Sequence, residues 1–155
     1  TLSDRVAVFN HGRIEQLASP QQLYDAPVNA FVAGFVGANT QLAGASSGSD
    51  AFHLADGSRL QARPASPLAA GAAATLCIRP EHLRLARADD RHNRLPATLL
   101  DAIHLGDHWR LVMRLAGGDA TWFAKLAPGA VPPGLATGQA LDLSFDPEQA
   151  WLFAA

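Results

Sequence analysis

Apolar and polar positions along this chain change period once, near residue 38. Before that point, Arg5–Asn10 and Arg13–Ala18 are short apolar runs on either side of Asn10-His11-Gly12-Arg13, the pattern of a β-hairpin. Ser19-Pro20-Gln21-Gln22 opens a short helix, with Ser19 and Gln22 as the two halves of a capping box, and Pro27 closes it. Asn29 caps a second helix, whose Phe31, Val32, Phe35 and Val36 form an i, i+4 stripe expected to pack as core, with Gly37 as its stop. From Asn39 the period becomes two. Gly44–Asp50 is Ser/Gly-rich and is expected to be a loop. Phe52 and Leu54 lead through Asp56-Gly57 to Leu60 and Ala62, a hairpin signal. Ala97–Leu105 forms another strand, and Trp109, Leu111, Met113 and Leu115 share one face of the next. Trp122, Ala124 and Leu126 follow, then Leu141, Leu143 and Phe145, then Trp151–Phe153. The order predicts a mainly β fold, a small barrel or sandwich of short antiparallel strands, preceded by a small α/β piece of one hairpin and two short helices. The hairpin is too small to stand alone and is expected to dock on the β domain or pair with a second copy.

One stretch breaks the two-residue rhythm. In Leu76-Cys77-Ile78-Arg79-Pro80-Glu81-His82-Leu83-Arg84-Leu85 the apolar residues fall on even positions before Pro80 and on odd positions after it. A regular strand would turn its second half inside out, so a bulge or sharp bend is required, and Pro80 suits one because it cannot donate to a ladder. Two readings of the polar centre stay open: a bent structural strand with solvated charges, or Arg79 and Glu81 projecting together as a fixed charged pair.

Composition narrows the function classes. The chain has 155 residues, 48% hydrophobic, enough for one domain or two small ones. A net charge of -2 with no basic run argues against a nucleic-acid footprint. A single cysteine, Cys77, excludes an internal disulfide and a thiolate metal cage, and its apolar setting disfavours a reactive thiol. No apolar run approaches the roughly 20 residues a membrane span needs. His104 and His108 lie four apart near Asp101 and Asp107, but Gly106-Asp107 splits them across a turn, so the helical zinc spacing does not apply. Phosphate-cradling GxxxxGK[ST], GxGxxG and GxSxG motifs are absent. No catalytic residue, cofactor or metal ligand is expected. The absence of an initiating methionine suggests a piece of a longer chain.

The N-terminal segment resembles the end of the ATPase domain of ABC-type import ATPases, on Leu2-Ser3-Asp4-Arg5-Val6-Ala7-Val8-Phe9, Gly12-Arg13-Ile14-Glu15-Gln16, Ser19–Tyr24, and Pro27 with Phe31–Gly37. Ile78-Arg79-Pro80-Glu81-His82-Leu83, with Phe145-Asp146-Pro147-Glu148 and Leu152-Phe153, resembles the TOBE domain, an OB-like regulatory module. The resemblance implies two units, 1–37 as the end of an ATPase domain and 38–155 as a TOBE/OB-like regulatory domain. It implies a homodimer, membrane permease subunits as partners of the intact protein, a small regulatory ligand, and a cytoplasmic location against the inner face of the bacterial membrane. The intact protein would use ATP and Mg and import a solute, with the wording closest to the polyamine group. This chain carries none of the phosphate-handling motifs and is expected not to hydrolyse ATP. Arg79, Pro80 and Glu81 are the expected inter-domain or dimer contacts. A small-ligand module, for an oxyanion or a transported substrate, is the alternative.

Overall fold

The computed structural model describes residues 4–155. Leu2 and Ser3, part of the N-terminal resemblance, lie outside the described residues. β1 (Val6–Asn10) and β2 (Arg13–Ala18) form the expected hairpin. Its two central turn residues, His11 and Gly12, both have positive φ, the geometry that matches strand twist in a two-residue loop. α1 (Pro20–Asp25) carries the capping box: Gln22 N–H donates to Ser19 Oγ at 3.2 Å, and Ser19 N–H to Gln22 Oε1 at 3.1 Å. α2 (Ala30–Val36) is capped by Asn29, whose Oδ1 accepts from Val32 N–H at 2.9 Å.

The stripe on α2 is not all core. Val32 is fully buried and Val36 packs beside it, against Val8 and Leu23. Phe31 and Phe35 are 41% and 62% exposed and stack on each other. The two i, i+4 pairs lie about 100° apart around a helix, and a seven-residue helix resting on a hairpin covers one of them. The hairpin itself seats its Val6/Val8/Ala18 side on α1 and α2, not on the β domain, and leaves Phe9, Ile14 and Leu17 outward.

The remaining strands are β3 (Thr40–Ser47), β4 (Ala51–His53), β5 (Arg59–Gln61), β6 (Arg63–Pro64), β7 (Ala70–Ile78), β8 (Arg84–Leu85), β9 (Leu95–His104), β10 (Trp109–Leu115), β11 (Thr121–Leu126), β12 (Ala140–Ser144) and β13 (Ala150–Ala154). They form two sheets, ordered β11-β10-β9-β12-β8 and β5-β4-β3-β7-β13-β6, antiparallel except for the short β13–β6 pairing. Both sheets face one core, in which Leu76, Ile78, Leu99, Met113, Trp122 and Phe145 are almost fully buried. This is the mainly β architecture the pattern predicted.

Two strand boundaries differ from expectation. Gly44–Ser47, read as loop from its Ser/Gly content, continues β3. A Cβ on Gly44 would sit 2.4 Å from the Phe52 ring and from the His53 carbonyl, so glycine here serves close packing within the sheet rather than a turn. Ala70–Ala74, a run of Ala and Gly with no apolar–polar alternation, is the first half of β7 and pairs with β3 and, at Ala74, with β13.

Candidate functional site

The parity break at Pro80 is where the chain leaves one sheet for the other. β7 ends at Ile78 in the six-stranded sheet, a 3-10 turn spans Pro80–His82, and β8 begins at Arg84 in the five-stranded sheet. His82 N–H donates to the Arg79 carbonyl at 3.0 Å, so the turn satisfies its own backbone while Pro80, with no N–H to place, is buried at its start. The bend re-aims the chain so that Leu76, Ile78 and Leu83 all reach the same core.

Arg79 is not solvated. Its side chain is 0% exposed. Nη1 donates to the carbonyls of Ala33 (3.0 Å) and Ala38 (3.2 Å), and Nη2 to that of Tyr24 (3.2 Å). The guanidinium lies 4.0 Å from the centre of the Tyr24 ring and 5.5 Å from that of Trp151. A planar, delocalised cation is suited to this combination of carbonyl acceptors and aromatic faces, as a lysine ammonium is not. Burial pulls the guanidinium below its ordinary pKa, with Tyr24 and Glu81 acting against that. The carbonyls belong to α1, α2 and the connector after α2, so one side chain from β7's end ties the whole N-terminal piece to the β domain.

Glu81 completes the arrangement without pairing to Arg79. Its Oε1 accepts the Tyr24 hydroxyl hydrogen. Tyr24 is pushed up to about 12, first by burial and then by the bond to Glu81 and its charge. Burial pushes Glu81 upward, but the Tyr24 bond and its other partners leave it below the usual carboxylate value. The fixed Arg79–Glu81 pair is therefore replaced by a relay in which Tyr24 touches both. Gly37 makes the close approach possible: a Cβ there would stand 3.0 Å from Arg79 Nη1 and 3.2 Å from the Tyr24 ring. Its φ of -179° is ordinary extended backbone, so the reason for glycine is space and not a left-handed helix end.

The arrangement joins the N-terminal piece to the β domain. Arg79 is committed to three carbonyls, and the nearby Cys77 thiol is fully buried and pushed up to about 11 by that burial. Elsewhere His108 Nδ1 lies 2.6 Å from Asp107 Oδ1, and the His104 ring meets the Trp109 ring edge-on. Among the described residues no three of His, Cys, Asp and Glu are grouped to hold a metal. Tyr24, Gly37 and Trp151 were not singled out from the sequence as partners of Arg79. They lie 55, 42 and 72 positions away, and main-chain acceptors carry no residue signature.

Residues 76–153, from the end of β7 through β13, match the TOBE domain family. The chain belongs to that family. The match thus begins just before the arginine bend and runs into the last strand. Curated relatives match through the N-terminal piece as well. The spermidine/putrescine import ATP-binding protein PotA of Ruegeria pomeroyi is 34% identical over 154 residues, covering 97% of this chain and 41% of that protein. PotA of Rubrobacter xylanophilus is 38% identical over 128 residues, 76% of this chain and 32% of that protein. The sn-glycerol-3-phosphate import ATP-binding protein UgpC of Chromobacterium violaceum is 35% identical over 158 residues, 100% of this chain and 41% of that protein. The chain spans between 32% and 41% of the length of these relatives. A molybdate-bound crystal structure of the cytoplasmic molybdate-binding protein ModG superimposes with a TM-score of 0.62 at 16% identity, over 76% of this chain and 96% of that one. The TOBE domain here therefore has an OB-like fold of two curled sheets.

Proposed function

We propose that the chain is the regulatory and dimerisation region of the ATP-binding subunit of an ABC importer, of the polyamine-importing kind. Residues 1–37 form the end of the ATPase unit and 38–155 the regulatory domain, with Arg79, Pro80 and Glu81 as the joint between them. The observation that carries this reading is the continuous match to import ATP-binding proteins across both parts. The exposed Phe9, Ile14, Leu17, Phe31 and Phe35 support it, since an apolar face of this kind fits a covering by the rest of an ATPase unit. The intact protein couples ATP hydrolysis to solute import with membrane permease subunits. This chain alone does not turn over ATP, because phosphoryl transfer needs a phosphate cradle, a metal and a positioned water.

Exchange of the matching region of a polyamine-import ATP-binding protein for this chain tests the reading. The chimera should assemble with its permease and support ATP-dependent putrescine uptake. A folded chimera that hydrolyses ATP but neither assembles nor transports would refute it.

A second reading, a small-ligand binding module, draws support from the fold shared with a molybdate-binding protein and from a cationic cavity at the open edge of the six-stranded sheet.

A further inference from the structure

The two halves of the β domain repeat one design. Leu76-Cys77-Ile78-Arg79-Pro80-Glu81 and Leu143-Ser144-Phe145-Asp146-Pro147-Glu148 share Leu, Pro and Glu at the same spacing, and each runs from a strand into a 3-10 turn that starts at the proline. Each turn carries the chain from one sheet to the other, β7 to β8 and β12 to β13. The sheets then correspond strand for strand: β5-β4-β3-β7 in one and β11-β10-β9-β12 in the other, followed by β13 and β8, each lent by the opposite half. Leu42 lies opposite Leu76 as Leu95 lies opposite Leu143. The Ile78 carbonyl accepts from Thr40 Oγ1 at 2.8 Å, and that of Phe145 from Asn93 Nδ2 at 3.2 Å. Because β8 and β13 change places, the operation relating the halves also exchanges the sheets, as an approximate two-fold does.

A cavity of about 210 Å³ opens between the β4–β5 and β10–β11 turns, and matching positions of both halves line it. Leu42 and Leu95 are one matched pair. Leu54 and Leu115 are another: Leu54 N–H donates to the Ser58 carbonyl and Leu115 N–H to that of Ala120, both at 2.9 Å, as each turn begins. The match fails at the rim, where Asp56 stands on one turn and Gly117 in its place on the other. Asp56 reaches across the opening, so that its Oδ2 would lie 3.7 Å from a Cβ on Gly117. Its Oδ1 accepts from Ser58 N–H at 2.8 Å, and the bonds from Ser58 hold the carboxyl below its usual range. Among the described residues no Lys, Arg or His lies within ion-pair distance of it. Asp119, on the same turn as Gly117, does not line the cavity.

We propose that this cavity binds a short alkylammonium with a single charged head, the head on Asp56 and the aliphatic stem between the four leucines. The carboxylate supplies a charge-assisted acceptor, and the leucines take apolar surface out of water. The broken symmetry makes the site one-ended. A diamine of the same length would bring its second ammonium to Gly117, where no counter-charge meets it, and would lose hydration there. This assignment goes beyond the importer reading and stands without it.

The test is an amide-resolved NMR titration of the 155-residue chain with n-butylammonium, 1-butanol and putrescine at constant ionic strength. n-Butylammonium should shift Leu54–Ser58 and Leu115–Ala120 together and saturably, and should bind about tenfold more tightly than either of the others. Asp56→Asn keeps the acceptor for Ser58 and removes the charge, so it should weaken n-butylammonium about tenfold with a dispersed, folded spectrum. Gly117→Asp restores the missing twin, at a left-handed position that Asp tolerates better than most residues, and should turn the preference toward putrescine. Putrescine binding more tightly than n-butylammonium to the unaltered chain would overturn the one-ended site. So would shifts confined to one turn, an Asp56→Asn variant that binds as before, or no saturable shift at all.

Discussion

Between residues 4 and 37 six large apolar side chains are at least 41% exposed: Phe9, Ile14, Leu17, Val28, Phe31 and Phe35. Through the much longer β domain, only Leu105 reaches that level among the described residues, with Ile103 at 38% beside it at the β9–β10 hairpin. The buried clusters show the reverse. The N-terminal piece has Val8, Leu23 and Val32, whereas twenty buried residues make one core between the two sheets. A two-stranded hairpin and two helices of six and seven residues remove too little apolar surface from water to fold independently. The N-terminal piece takes its position from the β domain, through Arg79, and keeps an outer face for something else to cover. Folding strength and contact surface are thus divided between the two regions.

Removing core from the β domain should cost most. Trp122→Ala should lower stability by about 3–5 kcal/mol, read as a fall in the urea midpoint for the whole chain. Arg79→Ala should follow at roughly 3 kcal/mol, since one buried and two part-buried carbonyls lose their donor and two rings lose their cation. Its hydrogen-exchange signature should differ: protection in β1, β2, α1 and α2 should fall further than protection in β10 and β11. Equal loss in both regions would mean that Arg79 is ordinary core and not a joint.

Tyr24→Phe keeps the ring under the guanidinium and deletes the bond to Glu81, so a loss of about 1 kcal/mol is expected. Its pH dependence sharpens the comparison. The folded-state pKa of Tyr24 lies above its unfolded value, at about 12 against 10.0, so the folded chain holds this proton longer. The associated stability is complete below pH 10.0 and is lost as pH rises toward about 12. Cys77 adds a similar loss from 9.0 toward about 11, so the difference between wild type and Tyr24→Phe isolates the tyrosine. Tyr24 is the chain's single tyrosine, and tyrosinate absorbance reports it directly. The smallest stability change belongs to Phe35→Ser, within about 0.5 kcal/mol, accompanied by less concentration-dependent self-association in sedimentation. A large stability loss there would show that Phe35 is structural.

Strand positions were legible wherever one face met the core. Leu111, Met113 and Leu115 on β10, and Trp122, Ala124 and Leu126 on β11, alternate in sequence because they alternate in burial. The bend at Pro80 was legible for the same reason, as a break in that alternation. Where alternation carried no information, the reading failed: Gly44–Ser47 and Ala70–Ala74 form strands by backbone pairing, with small side chains that mark no face in the sequence. Phe31 and Phe35 misled because helical spacing records an apolar face without recording whether that face is covered in this chain. Arg79 was noticed, but its burial was not readable, because it depends on carbonyls at Tyr24, Ala33 and Ala38.

The use of main-chain oxygens has a consequence for how such a chain can drift. The side chain of Ala38 points to solvent while its carbonyl holds the guanidinium, so many residues can replace it without disturbing the grip. Tolerance at position 38 beside intolerance at 79 would be the mark of a fastening whose one half is spelled in the gene and whose other half is written only in the backbone.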